Sequence, residues 1–140
     1  MSGQFVRVWL PLVAGLFVVF ATFFRGPGPQ GPLRWAGLLL AVLGLLGVVV
    51  SRWTLGRSFS ITPQARELMT HGIYSKIRNP IYVFGTICIA GLILMVRQNY
   101  LWALLVLIIV VQMIRARQES RVLEARFGDE YRKYRASTWF

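Results

Sequence analysis

Four uncharged apolar runs constrain the fold of this chain more than any other feature of its sequence. They cover residues 8–24, 35–51, 80–96 and 100–114. Each run has about 17 residues, which as an α-helix extend about 25 Å, at the short end of what crosses a bilayer. The composition agrees with this, because 56% of the residues are hydrophobic and 15% are charged. An ordinary soluble domain has about 25% charged residues.

We therefore predict an all-α integral membrane protein that forms one domain over residues 1–140, with four transmembrane helices and a C-terminal amphipathic helical extension. The predicted helices cover about residues 8–24, 35–53, 80–96 and 100–126, with a loop at 54–79 and a tail at 127–140. We expect Gly128 to end the fourth helix, since glycine is the common residue just past a helix C-terminus.

The connections and glycines predict how these helices pack. Residues 25–34 contain three prolines and three glycines, which exclude regular structure there. Residues 97–99 are too few for anything but a tight turn, so the last two helices should form an antiparallel hairpin. Gly37, Gly44 and Gly47 share one face of the second helix, and small residues on one face permit a neighbouring helix to approach closely.

Basic residues predict the orientation of the chain. It has 16 Lys and Arg against 5 Asp and Glu, a net charge of +11. Thirteen basic residues fall at the two ends or between the second and third apolar runs, and three fall in the other connections. By the positive-inside rule, both termini and loop 54–79 should be cytoplasmic, in what we expect to be a prokaryotic cell membrane. Because these charges flank apolar runs, they suit anionic lipid headgroups better than nucleic acid.

Metal and disulfide chemistry find little support in the sequence. Cys88 is the single cysteine and His71 the single histidine, so the chain can form no internal disulfide and no cysteine metal site. We expect no metal. Cys88 lies within an apolar run and is best interpreted as a small buried hydrophobe.

Two polar segments at the predicted cytoplasmic face carry the candidate chemistry. Asn79 and Pro80 have a structural explanation, because Asn is a good N-cap and Pro suits the first helical position. Tyr74 and Tyr82, on either side of them, could be interfacial tyrosines. Arg115 and Glu119 are four residues apart, which allows either a simple helix ion pair or a pair of inward-facing functional charges.

The combination of these segments resembles a known family. Residues 72–82 have the pattern G-I-Y-x-x-x-R-N-P-x-Y, and residues 119–134 the pattern E-x-x-x-L-x-x-x-F-G-x-x-Y-x-x-Y. Together they resemble the isoprenylcysteine carboxyl methyltransferase family, which belongs with the phospholipid N-methyltransferases in a wider group of integral membrane methyltransferases. The resemblance covers roughly residues 55–134 and includes the loop opening at 56–60.

The resemblance implies S-adenosylmethionine (SAM) as methyl donor and a lipid-like or prenylated substrate. It implies that Arg115 positions the substrate and that a set of loop and helix residues binds the cofactor. The matched cofactor-binding positions are Gln64, Arg66, Glu67, Leu68, Met69, Tyr74, Asn79, Pro80, Ile81, Tyr82 and Glu119. Two positions depart from the family pattern: Asn79 replaces the usual histidine of R-H-P, and Ser120 follows Glu119 where a second glutamate is frequent.

The residues present suit methyl transfer to a carboxylate somewhat better than to an amine. A carboxylate is ionised at neutral pH and needs no general base, whereas an amine must lose a proton and the sequence offers no good base for that step. Three alternatives stay open at this stage. They are a phospholipid N-methyltransferase, an NADPH-dependent membrane reductase, since sterol reductases are similar in their C-terminal part, and a non-catalytic membrane protein that retained the fold.

Overall fold

A computed structural model describes residues 2–55, 68 and 70–139 of the chain. These residues form five α-helices and contain no strand. The helices are α1 (Ser2–Arg25), α2 (Pro32–Leu55), α3 (Pro80–Val96), α4 (Tyr100–Phe127) and α5 (Asp129–Ser137), with a short 3-10 helix at Gly72–Ser75. The prediction of an all-helical protein with a helical C-terminal extension is therefore confirmed.

The helices extend beyond the apolar runs that predicted them. α1 begins at Ser2 rather than at residue 8, and no proline interrupts those first residues. α2 begins at Pro32, because proline needs no hydrogen bond to its nitrogen in the first turn. By length and composition α2 and α4 could each cross a membrane, whereas the apolar stretches Leu12–Arg25 and Pro80–Val96 are shorter. Two candidate spans are thus found, and four transmembrane helices stay a prediction.

The closest helix packing is between α2 and α3, where glycines bring the two backbones together. A Cβ added to Gly37 would lie 2.7 Å from the carbonyl oxygen of Gly91, and one added to Gly44 would overlap the backbone of Cys88. Gly47 lies against the ring of Phe84. The predicted glycine face of the second helix is confirmed, and its neighbour is α3. Because these approaches leave no room for a methyl group, the glycines fix the spacing of the two helices.

A buried arginine, which the sequence pattern had placed in a loop, joins α1 to α2. Arg34 is 1% exposed and lies in the first turn of α2 with its guanidinium directed at the C-terminal end of α1. Its guanidinium donates hydrogen bonds to backbone carbonyls, and the acceptors are Thr22, Phe23, Gly26, Pro27 and Gly28. The cation thereby satisfies carbonyl groups that a helix C-terminus leaves without partners.

The connections separate into two ends of the helix bundle. A Cβ on Gly28, in the α1–α2 connection, would lie 3.5 Å from the carbonyl oxygen of Met95, beside the α3–α4 turn. At the opposite end, Gly72 lies against Thr54 at the end of α2. The 3-10 helix, the start of α3 and the C-terminal half of α4 therefore meet at one end, as the distribution of charge predicted.

Candidate functional site

The first polar segment folds into a tight turn that positions Tyr74. Gly72 has a φ of +60°, a left-handed value that glycine adopts without strain. The following 3-10 helix is closed by a 2.7 Å hydrogen bond from the Ser75 hydroxyl to the Gly72 carbonyl. This turn buries Tyr74 and leaves His71 exposed. The pKa of Tyr74 is raised above its ordinary value, mainly by burial and then by the nearby Tyr134, Glu119 and Tyr82.

Asn79 and Pro80 begin α3 as predicted, but the capping does not involve the Asn79 side chain. Asn79 occupies the N-cap and Pro80 the first turn, yet the Asn79 side chain makes no capping hydrogen bond. The backbone carbonyl of Asn79 instead accepts from the amides of Tyr82 and Val83, at 3.1 and 3.2 Å. The expected side-chain cap is therefore wrong, because the backbone of Asn79 is not in the extended conformation that directs a capping side chain at the helix.

Tyr82 joins the two polar segments of the sequence. Its hydroxyl donates a 2.7 Å hydrogen bond to Oε1 of Glu119 on α4. Arg115, one helical turn before Glu119, also interacts with the Tyr82 side chain. All three residues are half-buried. The structure thus brings a tyrosine from α3 together with a cation and a carboxylate from α4, 33 and 37 residues further along the chain.

The C-terminal segment, α5 and the residues just after it, is held against the 3-10 helix region and α4 by three hydrogen bonds. The Tyr134 hydroxyl donates to the Tyr74 carbonyl at 2.7 Å, and the Trp139 amide donates to the Lys76 carbonyl at 2.8 Å. The Tyr131 hydroxyl bonds to the hydroxyl of Ser120 at 2.9 Å. Gly128, with a φ of +54°, allows the chain to reverse between α4 and α5, and the predicted end of the fourth helix is confirmed. Ser120 therefore holds α5 against α4.

Arg78 supplies a polar atom to which no described residue bonds. Its Nε is buried and has no hydrogen-bond partner in the part of the chain that the structure describes. Burial raises the pKa of the Tyr134 hydroxyl to about 12, and the nearby Arg78 guanidinium opposes this rise. A buried N–H without a partner costs on the order of 1–3 kcal/mol. An anionic group bound here would remove that cost.

An apolar groove continues from the site between α3 and α4. It has a volume of about 310 Å³ and is partly open rather than enclosed. Its lining residues are Tyr82, Val83, Thr86, Ile87, Ile109, Gln112 and Met113. Its polar members are Tyr82 at the site itself and the pair Thr86 and Gln112, which are joined by a 2.9 Å hydrogen bond. Tyr82 thus contributes to both the charged site and the groove.

The structure brings together part of the predicted set of site residues. Tyr74, Tyr82, Arg115 and Glu119 meet at one end of the bundle, with Asn79, Pro80 and Ile81 at the adjoining start of α3. Leu68 is half-buried. The loop opening at 56–60 lies outside the described residues. So do the remaining predicted cofactor-binding positions, which are Gln64, Arg66, Glu67 and Met69.

Sequence reasoning missed the contributions of Arg78, Ser120 and Tyr134 to the surroundings of this site. Arg78 and Tyr134 do lie within the two motifs, so their positions were a signal. Nothing in the spacing, however, indicated that the Tyr134 hydroxyl reaches the backbone of Tyr74, 60 residues earlier.

The helices, the charged residues at one end of the bundle and the adjoining apolar groove define a class of protein: a helical membrane protein with a polar site beside its apolar segments. A sequence profile of the phospholipid methyltransferase family matches residues 33–130. Because this match covers more than half of the chain, the protein belongs to the phospholipid methyltransferase family, and its general activity is methyl transfer. No curated protein and no solved structure gives a significant match to the chain.

Proposed function

We propose that this protein is an integral membrane SAM-dependent methyltransferase whose acceptor is a lipid-like molecule with an ionised carboxyl group. The observation that carries the proposal is the junction of Tyr82 with Glu119 and Arg115, at the end of an apolar groove. The cation and the apolar groove suit an amphiphilic acceptor, and the carboxylate suits a positively charged methyl donor.

The residues of the site fit the proposed cofactor. Glu119 offers a carboxylate to the positively charged amino group of SAM, and the Arg78 Nε offers a buried donor to its carboxylate. When bound, SAM supplies an electrophilic methyl group on a sulfonium, which needs no metal. Tyr74 and Tyr82 are near Glu119 and would help to hold the Glu119 carboxylate in one orientation.

The chain's own contribution to the reaction is positioning and exclusion of water. Arg115 would hold the acceptor carboxylate by a charge-assisted hydrogen bond. Aligning donor and acceptor in this way can supply several kcal/mol of the barrier. The α5 helix is held beside Tyr74 and Ser120 by Tyr134 and Tyr131, and it would limit the access of water from that side. No general base is required for an acceptor that is already ionised.

Methylation of a phospholipid amine is the second candidate, and the family match favours it. An amine acceptor would have to lose a proton. Among the described carboxylates, Glu119 is the one in the site, and it already accepts a hydrogen bond from Tyr82. We therefore rank the amine second. We also propose that both termini and loop 54–79 are cytoplasmic, because most of the basic residues fall in these parts of the chain, and that the membrane is a prokaryotic cell membrane.

One experiment separates these acceptors. Purified protein in liposomes of bacterial lipid extract would be incubated with SAM labelled on its methyl group, and the lipid fraction would then be treated with base. Methyl esters release volatile labelled methanol under base, whereas N-methyl groups stay bonded to nitrogen and release none. Base-labile label supports the proposal, base-stable label supports the amine, and no transfer of label to lipid contradicts both.

A matched pair of variants tests the role of Arg115 in the same assay. Arg115→Lys keeps the charge but loses the planar fork that binds a carboxylate through two hydrogen bonds, and Arg115→Gln loses the charge as well. We expect a graded rise in KM for the acceptor, greater for Arg115→Gln, with little change in SAM affinity. Equal loss of SAM affinity in both variants would instead assign Arg115 to the cofactor.

A further inference from the structure

Trp139 presents its side chain outward from a backbone that is held in place. Its amide donates a hydrogen bond to the Lys76 carbonyl at 2.8 Å, yet the residue is 89% exposed, the largest value among the exposed large hydrophobic residues of the described chain. An indole has a large apolar ring and one polar N–H, so it favours a boundary between water and an apolar phase. A boundary of that kind at Trp139 would account for its exposure.

Exposed tryptophans on α2 mark the depth of the bundle in a membrane. Trp35 and Trp53 are both exposed and are 18 positions apart in the helix, a distance of about 27 Å. The hydrocarbon core of a bilayer is about 30 Å thick, and Trp and Tyr are enriched at both of its surfaces. Tyr100 and Trp102, at the start of α4, are exposed at the same end as Trp35. Trp53 should therefore lie at the interface on the side of the candidate site.

Trp139 lies at the same end of the bundle as Trp53. Gly72 lies against Thr54, the residue that follows Trp53. Lys76, the hydrogen-bond partner of Trp139, follows the 3-10 helix that begins at Gly72. It is four residues before the start of the apolar helix α3. The Trp139 backbone is therefore held where α2 ends and α3 begins, beside residues 74–78 of the candidate site.

Exposed lysines in the same region favour an anionic lipid surface. Lys76 and Lys133 are exposed, and neither forms an ion pair with another described residue, whereas Arg132 and Arg135 pair with Glu124. Lysine side chains near a membrane extend their charged ends to the headgroups, and each adds attraction to anionic lipid. The combination of an exposed indole with exposed lysines thus matches an anionic headgroup region, where apolar and anionic groups meet.

We propose that Trp139 anchors the C-terminal segment in the headgroup region of an anionic leaflet, and that this anchor keeps residues 74–78 in the arrangement that binds SAM. Two hydrogen bonds carry the coupling, from the Trp139 amide to the Lys76 carbonyl and from the Tyr134 hydroxyl to the Tyr74 carbonyl. The effect on SAM rests on the proposed function, whereas the anchor itself does not.

Fluorine NMR of protein labelled with fluorotryptophan measures where the Trp139 ring lies. The chain has five tryptophans, and Trp139→Phe and Trp53→Phe assign two of the resonances by their disappearance. The full chain is held in nanodiscs of phosphatidylcholine and phosphatidylglycerol, to which either a lipid spin-labelled just below its headgroup or a soluble gadolinium chelate is added. We expect the lipid label to broaden the Trp139 resonance as much as that of Trp53. Broadening of Trp139 by the chelate alone would place the ring in water, and broadening by neither would place it against protein; each result would overturn the proposal.

Hydrogen exchange tests the coupling from the ring to the site. Trp139→Ser removes the ring and keeps the backbone amide, Trp139→Phe keeps an apolar ring, and Trp102→Ser makes the same change at the opposite interface. The amides of Tyr74 and Ile77 are hydrogen-bonded, so their exchange reports on the order of residues 74–78. We expect exchange there to be about three- to tenfold faster in Trp139→Ser, less so in Trp139→Phe, and unchanged in Trp102→Ser. Equal exchange in Trp139→Ser and the wild type would overturn the coupling.

Lipid composition and SAM binding complete the test. Exchange in residues 74–78 should be faster in nanodiscs of phosphatidylcholine alone, and equal exchange in the two lipid mixtures would contradict the role of the lysines. The dissociation constant for SAM should rise in Trp139→Ser by about the same factor as exchange, and stay unchanged in Trp102→Ser. If the wild-type protein binds no SAM while exchange depends on the Trp139 ring, the methyltransferase proposal fails and the anchor stands. If SAM binds equally well to the wild type and to Trp139→Ser, the link from the anchor to the site fails alone.

Discussion

The hydrogen bond between Tyr82 and Glu119 joins the two motifs, and its removal should weaken SAM binding by a defined amount. Tyr82→Phe removes the donor and leaves Glu119 in place. A hydrogen bond to a charged group contributes about 1.5–3 kcal/mol when it is well shielded from water. Because both side chains are half-buried, we expect a contribution around and below the lower end of this range, about 1–2 kcal/mol. This corresponds to a dissociation constant for SAM that is about 5–30-fold higher.

The reasoning also predicts that the two residues are not independent. Glu119→Gln removes the charge that the cofactor requires, and it should cost at least as much as Tyr82→Phe. If Tyr82 acts by orienting Glu119, the double variant should bind SAM no more weakly than Glu119→Gln alone. Residues in direct contact have coupling energies of about 0.5–3 kcal/mol, which a double-mutant cycle resolves.

The assay is equilibrium dialysis of labelled SAM against each variant in nanodiscs. Glu124→Gln is the control on the same helix, because Glu124 pairs with Arg132 at 3.0 Å near the surface and has no part in the proposed site. We expect its SAM affinity to equal that of the wild type. Strictly additive losses in the Tyr82 and Glu119 variants would refute the idea that the tyrosine acts through the carboxylate.

Three further predictions concern stability. Arg34→Gln should leave several buried carbonyls unsatisfied, at a cost of about 1–3 kcal/mol each. It should therefore lower the thermal unfolding midpoint in detergent far more than Arg97→Gln, which changes an exposed arginine; similar midpoints would contradict this. Gly44→Ala should destabilise the folded protein by about 1–3 kcal/mol, because the added methyl group overlaps α3. Gly85→Ala, where the added methyl group meets open space, should be neutral or slightly stabilising. Equal unfolding midpoints for the two variants would contradict the close approach of α2 and α3. Burial raises the pKa of Tyr134 from 10.0 to about 12, so its contribution to stability should be complete below pH 10 and lost as the pH rises through about 12. Tyr134→Phe should reduce the fall in unfolding midpoint over that interval, and an unchanged fall would argue against it.

The fold was predictable to the extent that it depends on hydrophobicity and helix signals. The uncharged runs predicted the helices, the glycine face of α2 predicted its close neighbour, and Gly128 predicted the reversal before α5. The burial of Arg34 could not be predicted, because the acceptors for its guanidinium are backbone carbonyls, which every sequence offers equally.

The candidate site was predictable in its residues more than in its contacts. Motif positions identified Tyr82 and Glu119, but their hydrogen bond depends on the register of α3 against α4, which a three-residue turn alone does not determine. The same register creates the groove beside Thr86 and Gln112. The apolar residues that line this groove look in the sequence like ordinary membrane-helix residues, and only their packing distinguishes a groove from a filled interface.

The most direct test of the central claim is calorimetric titration of SAM into the purified wild-type protein, with Glu119→Ala measured beside it. The account predicts micromolar binding by the wild type and a loss of at least tenfold in affinity in the variant, because the carboxylate that binds the cofactor has been removed. Absence of SAM binding to folded wild-type protein would contradict the account, since the paired motifs would then form a site for something other than this cofactor.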